Sequence, residues 1–274
     1  MEFKKVLAVY FSATGTTQKI VTKIADELAQ VALISSESLD FTQLSARETP
    51  LRFSPGDIVI FGMPVIAGRV PNVLLNYLDT MEGNNAATVP VVLYGNRNYD
   101  DALIELRDIL EKRGFHPIAA AAFIGEHSFS AILAKGRPDS ADLQIAKEFA
   151  FKTAKKAQSL STYNDSLIRV DGTPFPYRGY YKPQDRYGNP IDIRKVKPLT
   201  NSDCNNCMIC AEVCPMGSIN PDNVKEVPGI CIKCCACLKK CPQNAKYFDN
   251  EDFLYHKQEL EDTWTRRAKP QVFL

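Results

Sequence analysis

The sequence has little of what would direct a chain to a membrane, to a nucleic acid or out of the cell. No apolar run approaches the roughly 20 residues that a bilayer span requires. The net charge is only +1, from 33 Lys and Arg against 32 Asp and Glu, so no strong electrostatic attraction to nucleic acid is expected. Cysteine is absent outside residues 204–241, which argues against the spread disulfide framework of a short secreted chain.

A cleavable secretion signal is not expected either. The amino-terminal apolar run from Val6 to Phe11 is too short, and the polar SATGTT follows it without a cleavage-like site. We therefore expect a cytoplasmic protein in a reducing compartment. The length of 274 residues and the apolar content of 45% suit one large domain or two ordinary ones.

All nine cysteines lie in one stretch, and eight of them form two runs with the same spacing. Each run reads C-x2-C-x2-C-x3-C and is followed by a proline, Pro215 or Pro242. This is the ligand spacing of bacterial iron–sulfur proteins, in which the fourth cysteine of each run ligates the other cluster. The spacing predicts two 4Fe–4S clusters, the first held by Cys204, Cys207, Cys210 and Cys241 and the second by Cys231, Cys234, Cys237 and Cys214.

Two structural zinc sites are the alternative interpretation of these cysteines. Such sites usually combine two separated C-x2-C pairs, a pattern that the two runs fit poorly. The ninth cysteine, Cys235, matches neither run and is interpreted as a packing residue. Because exposed clusters are sensitive to oxygen, an anaerobic cell is the expected setting.

Upstream of the cysteines, short apolar runs alternate with amphipathic segments. The predicted strands cover residues 6–11, 31–34, 57–61, 89–94 and 116–124. The predicted helices end near Ala29, begin at Pro71, begin at Asp100 or Asp101, and run from Pro138 to about Leu160. This alternation predicts a parallel sheet with helices on both faces, whose ligand binds beyond the carboxyl ends of the strands.

A loop rich in hydroxyl groups, Ser12 to Thr17, joins the first predicted strand to the first helix. Gly15 permits a tight turn, and the free N–H groups and dipole at a helix N-terminus favour an anion. The loop has neither the lysine of nucleoside-triphosphate loops nor the G-x-G-x-x-G pattern. The pattern predicts a phosphate site, with an ordinary capped turn as the alternative.

These motifs together resemble a known family. The SATGTT loop is similar to the FMN-phosphate loop of flavodoxins, and the loops at 62–71 and 94–101 are similar to the two that flank the flavin ring. With the cysteine runs, nearly the whole chain resembles flavodoxin–ferredoxin fusion proteins of anaerobic bacteria and archaea. The resemblance implies an α/β fold with a flavodoxin-like five-stranded parallel sheet, a small α+β two-cluster ferredoxin domain, and FMN and two 4Fe–4S clusters as cofactors.

The resemblance also implies where the flavin binds. The phosphate is expected at Ser12, Thr14, Gly15, Thr16 and Thr17. One face or edge of the ring is expected against Pro64, Val65, Ile66 and Ala67, and the other side against Gly95, Asn96 and Tyr99. Tyr99 is the expected stacking aromatic, because the aliphatic Ile66 occupies the inner position.

Glu126, His127 and Ser128 follow the fifth predicted strand. Side chains of these types could move protons to a flavin, so His127 is the one catalytic candidate. The favoured interpretation is instead a hydrogen-bonded loop that shapes the rim of the site.

The predicted organisation has four parts. Residues 1–160 form an amino-terminal domain, and residues 161–199 form a connecting strap whose tyrosines and prolines predict an ordered, extended segment. Residues 200–250 form a cysteine-rich module, in which Lys233, Lys239 and Lys240 are expected to offset cluster charge or to dock an acidic partner. Residues 251–274 form a tail, which is expected to dock onto the body because it ends in Val272, Phe273 and Leu274.

The favoured function is electron transfer between the clusters and FMN, which links one- and two-electron carriers. Redox proteins are the expected donor and acceptor. The alternative is an FMN-dependent reductase that passes a hydride to a small substrate. A cluster-based sensor lacks support because nothing resembles a DNA-binding module, and the sequence leaves the oligomeric state open.

Overall fold

The computed structural model describes residues 2–163 and 168–274. Met1 of the predicted amino-terminal domain and residues 164–167 of the predicted strap lie outside the described residues.

The amino-terminal domain is built on a parallel β-sheet. Its strands are β1 (Lys5–Tyr10), β2 (Ser35–Asp40), β3 (Asp57–Pro64), β4 (Ala87–Tyr94), β5 (His116–Pro117) and β6 (Ala120–Ile124). They lie in the order β2-β1-β3-β4-β6, with β5 beside β4, and each neighbouring pair is parallel. The prediction of a parallel flavodoxin-like sheet is confirmed.

Helices cover both faces of this sheet. They are α1 (Thr16–Ala32), α2 (Leu75–Leu78), α3 (Ala102–Lys112) and α4 (Ser140–Ser159). Side chains alternate along β1, so that Val6 packs with α1 and α4 while Leu7 packs with α3 on the opposite face. Strands β3 and β4 are buried almost throughout, which explains their continuous apolar sequences.

The second strand was predicted in the wrong place. Val31 belongs to α1, which continues to Ala32, and Leu33 ends the helix in the left-handed conformation with φ of 58°. Strand β2 begins after this turn and has the polar sequence SSESLD. It carries no apolar signal because it lies at the edge of the sheet, where five of its six residues are exposed.

Other predicted boundaries also need correction. The fifth predicted strand is interrupted between β5 and β6, and the segment after Pro71 begins with a 3-10 turn before α2. Asp101 precedes α3 but does not cap it through its side chain. Helix α4 begins at Ser140, two residues after Pro138. Its N-cap residue Asp139 accepts hydrogen bonds from the N–H groups of Ala141 and Asp142.

The cysteine-rich module contains short elements around the two cysteine runs. They are β7 (Leu199–Thr200), α5 (Ile209–Glu212), α6 (Ala236–Lys239) and β8 (Lys246–Tyr247), with β7 and β8 paired antiparallel. Each short helix therefore includes one cysteine of its run, Cys210 in α5 and Cys237 in α6.

The tail docks onto the amino-terminal domain and completes its sheet. Helix α7 (Glu251–Thr263) is followed by β9 (Gln271–Phe273), which pairs antiparallel with β6. The sheet therefore has an antiparallel edge strand in addition to the five parallel positions that were predicted. This strand covers an edge of β6 that would otherwise be open.

The described part of the strap is held against the amino-terminal domain by hydrogen bonds. Asp101 accepts from the N–H groups of Thr173 (2.9 Å) and Arg178 (2.8 Å) and from the Arg178 guanidinium. Tyr177 donates to Asp108 (2.8 Å), and Tyr180 donates to the carbonyl of Val70 (3.0 Å). Tyr187, by contrast, is 81% exposed, so only some of the strap tyrosines pack as expected.

No helix in the described ranges combines the length and the apolar character that a bilayer crossing needs.

Candidate functional site

The phosphate loop predicted from the sequence lies between β1 and α1. Gly15 is the residue before α1 and has φ of 88°, a conformation that side-chain-bearing residues rarely adopt. Ser12 Oγ accepts from the N–H of Gln18 (3.0 Å), and the Ser12 N–H donates to Thr42 Oγ1 (2.8 Å). Gly15, the N-cap residue of α1, makes no side-chain cap, and a helix start with hydroxyl groups beside it suits an anion.

Two further loops leave the carboxyl ends of β3 and β4, beside the phosphate loop. The turn after β3 is closed by hydrogen bonds between Ile66 and Arg69, with N···O distances of 3.0 and 3.1 Å. It is linked to β4 because the Val65 N–H donates to the Leu93 carbonyl (2.8 Å). The structure thus brings together at one edge of the sheet the three loops expected to surround the flavin.

The loop after β4 packs closely on the loop after β6. A Cβ atom at Gly95 would lie 2.3 Å from Cδ2 of His127, so only glycine fits without displacing the imidazole. The ring of His127 packs edge-on against Phe129 at 5.1 Å, and its Nδ1 accepts from the Phe129 N–H (3.2 Å). Burial of the ring, followed by the positive charges around it, lowers the pKa of His127 to about 4.

This environment favours the rim interpretation of His127 over the catalytic one. The lowered pKa keeps the imidazole neutral at pH 7, and its Nδ1 is occupied by the Phe129 N–H. Glu126 and the His127 carbonyl are bonded to Lys239 of the cysteine-rich module. The catalytic interpretation and the rim interpretation of this loop both stay predictions.

Asn96 is buried and holds the tail. Its Nδ2 donates to the carbonyls of Trp264 (2.6 Å) and Arg266 (2.7 Å), and its Oδ1 accepts from the Ala268 N–H (3.2 Å). Asn96 was predicted to contact the flavin, and this contact with the tail was not predicted because the partners follow about 170 residues later. Its backbone, with φ of 70°, still shapes the predicted flavin loop.

Tyr99 is 4% exposed and packs on Tyr94, with ring centroids 5.6 Å apart. The ring therefore belongs to the core of the amino-terminal domain, and burial raises its pKa. Its stacking role, like the other predicted flavin-ring contacts, stays a prediction.

The strap also reaches the predicted flavin loops. The Tyr181 N–H donates to the carbonyl of Ala67 (2.8 Å), and the Arg97 guanidinium lies 4.4 Å from the centre of the Tyr181 ring. Arg97 is also paired with Asp100, and Arg69 with Glu105 (2.6 Å). Both arginines are thus engaged with protein partners.

The eight cysteines of the two runs line two separate cavities in the cysteine-rich module. The first cavity is lined by the first predicted ligand set: Cys204, Cys207, Cys210 and Cys241. The second cavity is lined by the second set, Cys231, Cys234, Cys237 and Cys214, and also by Cys235. The fold therefore brings together the two crossed sets, while ligation itself stays a prediction.

Apolar side chains share the lining of both cavities with the cysteines. Within residues 2–163 and 168–274, no group of three or more His, Cys, Asp or Glu side chains converges closely enough to hold one metal ion. Each cavity is also lined by apolar side chains, including Met208 and Val224 in the first and Ile219 and Phe248 in the second.

Two buried lysines accompany the cavities. Lys246 is 4% exposed, lines the first cavity, and donates through Nζ to the carbonyl of Val224. Lys233 is 7% exposed and donates to the carbonyls of Cys231 (2.8 Å) and Arg194. A carbonyl does not neutralise an ammonium, so burying these charges is costly unless an anionic group lies nearby. Lys233 was among the lysines predicted to offset cluster charge, whereas Lys246 was not predicted.

Comparison with known proteins identifies the amino-terminal fold. Residues 7–125 match the family model described as a flavodoxin domain. No curated protein matches the chain.

Solved structures with similarity to this chain include a flavodoxin from the domain Archaea, which is 14% identical, with a TM-score of 0.41 and coverage of 56% of this chain and 99% of that one. Another is the two-electron reduced flavodoxin of Megasphaera elsdenii, 19% identical, with a TM-score of 0.38 and coverage of 55% and 98%. A third is the rubredoxin oxygen:oxidoreductase of the anaerobe Desulfovibrio gigas, 16% identical, with a TM-score of 0.41 and coverage of 59% and 38%.

The amino-terminal part of this protein is a flavodoxin-like domain. Such a domain implies FMN as its cofactor, and the turn at Gly15, the adjacent hydroxyl groups and the start of α1 fit its phosphate.

Proposed function

We propose that this protein is an electron carrier that relays electrons between FMN in the flavodoxin-like domain and two 4Fe–4S clusters in the cysteine-rich module. When bound, the clusters supply one-electron chemistry and the flavin supplies one- or two-electron chemistry. The observation that carries the proposal is the pair of cavities, each lined by four cysteines in the crossed combination expected from the spacing.

The chemistry of the cavities supports iron–sulfur clusters. Burial raises the pKa of the Cys234 and Cys237 thiols to about 12. Their buried surroundings alone favour the protonated thiol. A bound metal centre would favour the thiolate. The apolar linings restrict water around the sulfurs, one of the factors that set a cluster's potential.

The buried lysines support the same proposal. Thiolate-ligated 4Fe–4S clusters carry net negative charge, so clusters in the two cavities would neutralise the ammonium groups of Lys246 and Lys233. The charge of Lys246 also acts to lower the pKa of three cysteines. Cys210 and Cys241 belong to the first predicted set, and Cys237 belongs to the second.

We favour a carrier over the alternative reductase. His127, the one acid–base candidate, packs against Gly95 and accepts a hydrogen bond from the Phe129 N–H, which supports a role in shaping the rim of the site. In a carrier the residues of the chain bind, orient and shield the cofactors, and a redox protein is the partner. Reduced thiols of this kind suit the cytoplasm.

Anaerobic purification followed by metal, sulfide and flavin analysis tests the proposal. We expect one FMN, about eight irons and about eight acid-labile sulfides per chain, as two 4Fe–4S clusters require. Two zinc ions in place of iron would refute the clusters.

The crossed ligation is tested by Cys214→Ser, with Cys235→Ser as the matched control because Cys235 belongs to neither predicted set. Cys214→Ser should damage the cluster of the second run and spare that of the first, as followed by electron paramagnetic resonance. Damage confined to the first-run cluster would contradict the crossed assignment.

A further inference from the structure

Among the described residues, the contacts between the cysteine-rich module and the flavodoxin-like domain lie on the side of the module that holds the second cavity. Arg47 donates to the carbonyl of Pro215, the residue that follows Cys214. A Cβ atom at Gly217 would lie 2.7 Å from Cδ1 of Leu44. Both contacts belong to the segment that brings Cys214 into the second cavity.

The second cysteine run supplies further contacts. Ile232, Cys234 and Ala236 pack into the same hydrophobic core as Phe11 and Ala13 at the end of β1. Lys239, which ends α6, donates to Glu126 Oε1 (2.5 Å) and to the His127 carbonyl (2.8 Å). The wall of the second cavity is therefore also the wall against the flavodoxin-like domain.

The contact region lies next to the predicted phosphate loop. Thr42 Oγ1 accepts from the Ser12 N–H, and the Arg47 guanidinium lies 5.7 Å from the centre of the Phe11 ring. The segment that carries Leu44 and Arg47 thus joins the phosphate loop to the module. On the other side of the site, Gly95 packs on His127, whose carbonyl is bonded to Lys239.

The first cavity lies on the side of the module that faces solvent. Cys207 is exposed, and so are its neighbours Asn205 and Asn206. Two lining residues of this cavity, Cys210 and Val224, belong to a small core that also contains Ile219 of the second cavity and is separate from the core of the flavodoxin-like domain.

We propose that the second cavity holds the inner cluster, through which electrons pass to and from the flavin, and that the first cavity holds the outer cluster, which exchanges electrons with a partner. This inference rests on the proposed function and adds an order to it. Electron transfer slows steeply with distance, so the cluster next to the flavodoxin-like domain is the one that couples to its flavin.

The electron balance of this route is simple. An external one-electron donor is oxidised as it reduces the outer cluster by one electron. Held by Cys204, Cys207, Cys210 and Cys241, the outer cluster would pass that electron to the inner cluster, held by Cys231, Cys234, Cys237 and Cys214, and the inner cluster would pass it to the flavin. Two such transfers, with protons taken from water, reduce one FMN completely.

The test compares variants that remove one cluster each in the full chain. Cys207→Ala removes an exposed outer ligand, and Cys234→Ala removes an inner one, with Cys231→Ala as a second inner variant in case Cys234→Ala fails to fold. Lys225→Met, at an exposed position of the module that lines neither cavity, is the control. Two measurements are made: the excited-state lifetime of the oxidised flavin, which a nearby cluster shortens, and flavin bleaching by a reduced bacterial ferredoxin.

Loss of the inner cluster should lengthen the flavin lifetime and abolish ferredoxin-driven bleaching, although the outer cluster is still reduced. Loss of the outer cluster should leave the lifetime unchanged and slow the bleaching. The reverse pattern, or an equal response of the inner and outer variants in either measurement, overturns the order. Iron and FMN contents are measured in the same samples, so that wild-type protein without iron refutes the proposed function itself rather than the order alone.

Discussion

Lys239 Nζ lies 2.5 Å from Oε1 of Glu126, and this ion pair joins the second cysteine run to the loop after β6. The two side chains are 24% and 30% exposed, so water screens the pair only in part. Hydrogen bonding to the lysine contributes to the lowered pKa of Glu126. The pair links the predicted inner cluster to the rim of the predicted flavin site.

Replacing Lys239 by Met should loosen the contact between the module and the flavodoxin-like domain. We expect a loss of about 1 kcal/mol or less, because partly exposed pairs are worth little, and faster amide exchange in residues 126–129. Lys240→Met, at the exposed neighbouring position, is the control and should leave that exchange unchanged. Equal exchange in the two variants would show that the ion pair does not hold the contact.

Gly15→Val should release FMN while the iron content stays at the wild-type level. Valine at a φ of 88° is strained by roughly 1–2 kcal/mol, and the strain falls on the backbone expected to bind the phosphate. Gly188 is a matched control, since it has φ of 82° and, like Gly15, open space where a Cβ would lie. FMN retained at equal levels in Gly15→Val and Gly188→Val would rule out the phosphate site at this loop.

The amino-terminal sheet was largely predictable because its central strands are buried. Strands such as β3 and β4 are buried on both faces and therefore have nearly continuous apolar sequences, which can be recognised without the structure. The edge strand β2 meets no such requirement, so its polar sequence gave no signal. The strand β9 could not be predicted because three residues at the far end of the chain carry no indication of their partner β6.

The candidate site shows the same division. Gly15 and the cysteine spacings are local signals, and the fold places these residues as their sequence context suggested. The role of Asn96 depends on Trp264, Arg266 and Ala268, which approach it only in three dimensions. Lys246 looked like any surface lysine because burial beside a cavity leaves no local pattern.

Lys246→Met should lower the reduction potentials of the clusters. Removing a buried positive charge makes it harder to add an electron beside it, and a shift of roughly 60 mV corresponds to a tenfold change in a one-electron equilibrium. Potentials are measured by redox titration with electron paramagnetic resonance. Lys225→Met, at an exposed position in the same module, should leave them unchanged; a similar shift in both variants would mean that only net charge matters.

Asp101→Asn should release the strap from α3. The carboxylate is fully buried, and the neutral amide would lose the ion pair with Arg178 and leave one of two backbone N–H groups poorly satisfied. We expect a loss of about 1–3 kcal/mol in the free energy of unfolding. The control, Asp192→Asn, removes an exposed carboxylate paired with Arg194 and should change stability by about 0.5 kcal/mol or less. Equal losses would contradict a special role for Asp101.

The same contact gives a pH dependence. The hydrogen bond from the Arg178 side chain is the main cause that lowers the pKa of Asp101 from 3.8 to about 2. A lowered carboxyl pKa in the folded state stabilises the fold above the unfolded value, so this contribution is complete above about pH 4 and is lost as the pH falls towards 2. Urea denaturation between pH 4 and pH 2 should show that the free energy of unfolding declines less in Asp101→Asn than in wild type.

Pairing of β9 with β6 sets an order for biosynthesis. The two strands are separated by about 147 residues, counted from Ile124 to Gln271. At about 5–20 residues per second, the ribosome needs roughly 7–30 s to cover that interval. During this time both cysteine runs emerge while the sheet still has an open edge. Iron–sulfur assembly on the nascent chain would therefore meet a flavodoxin-like domain whose last strand has yet to be made.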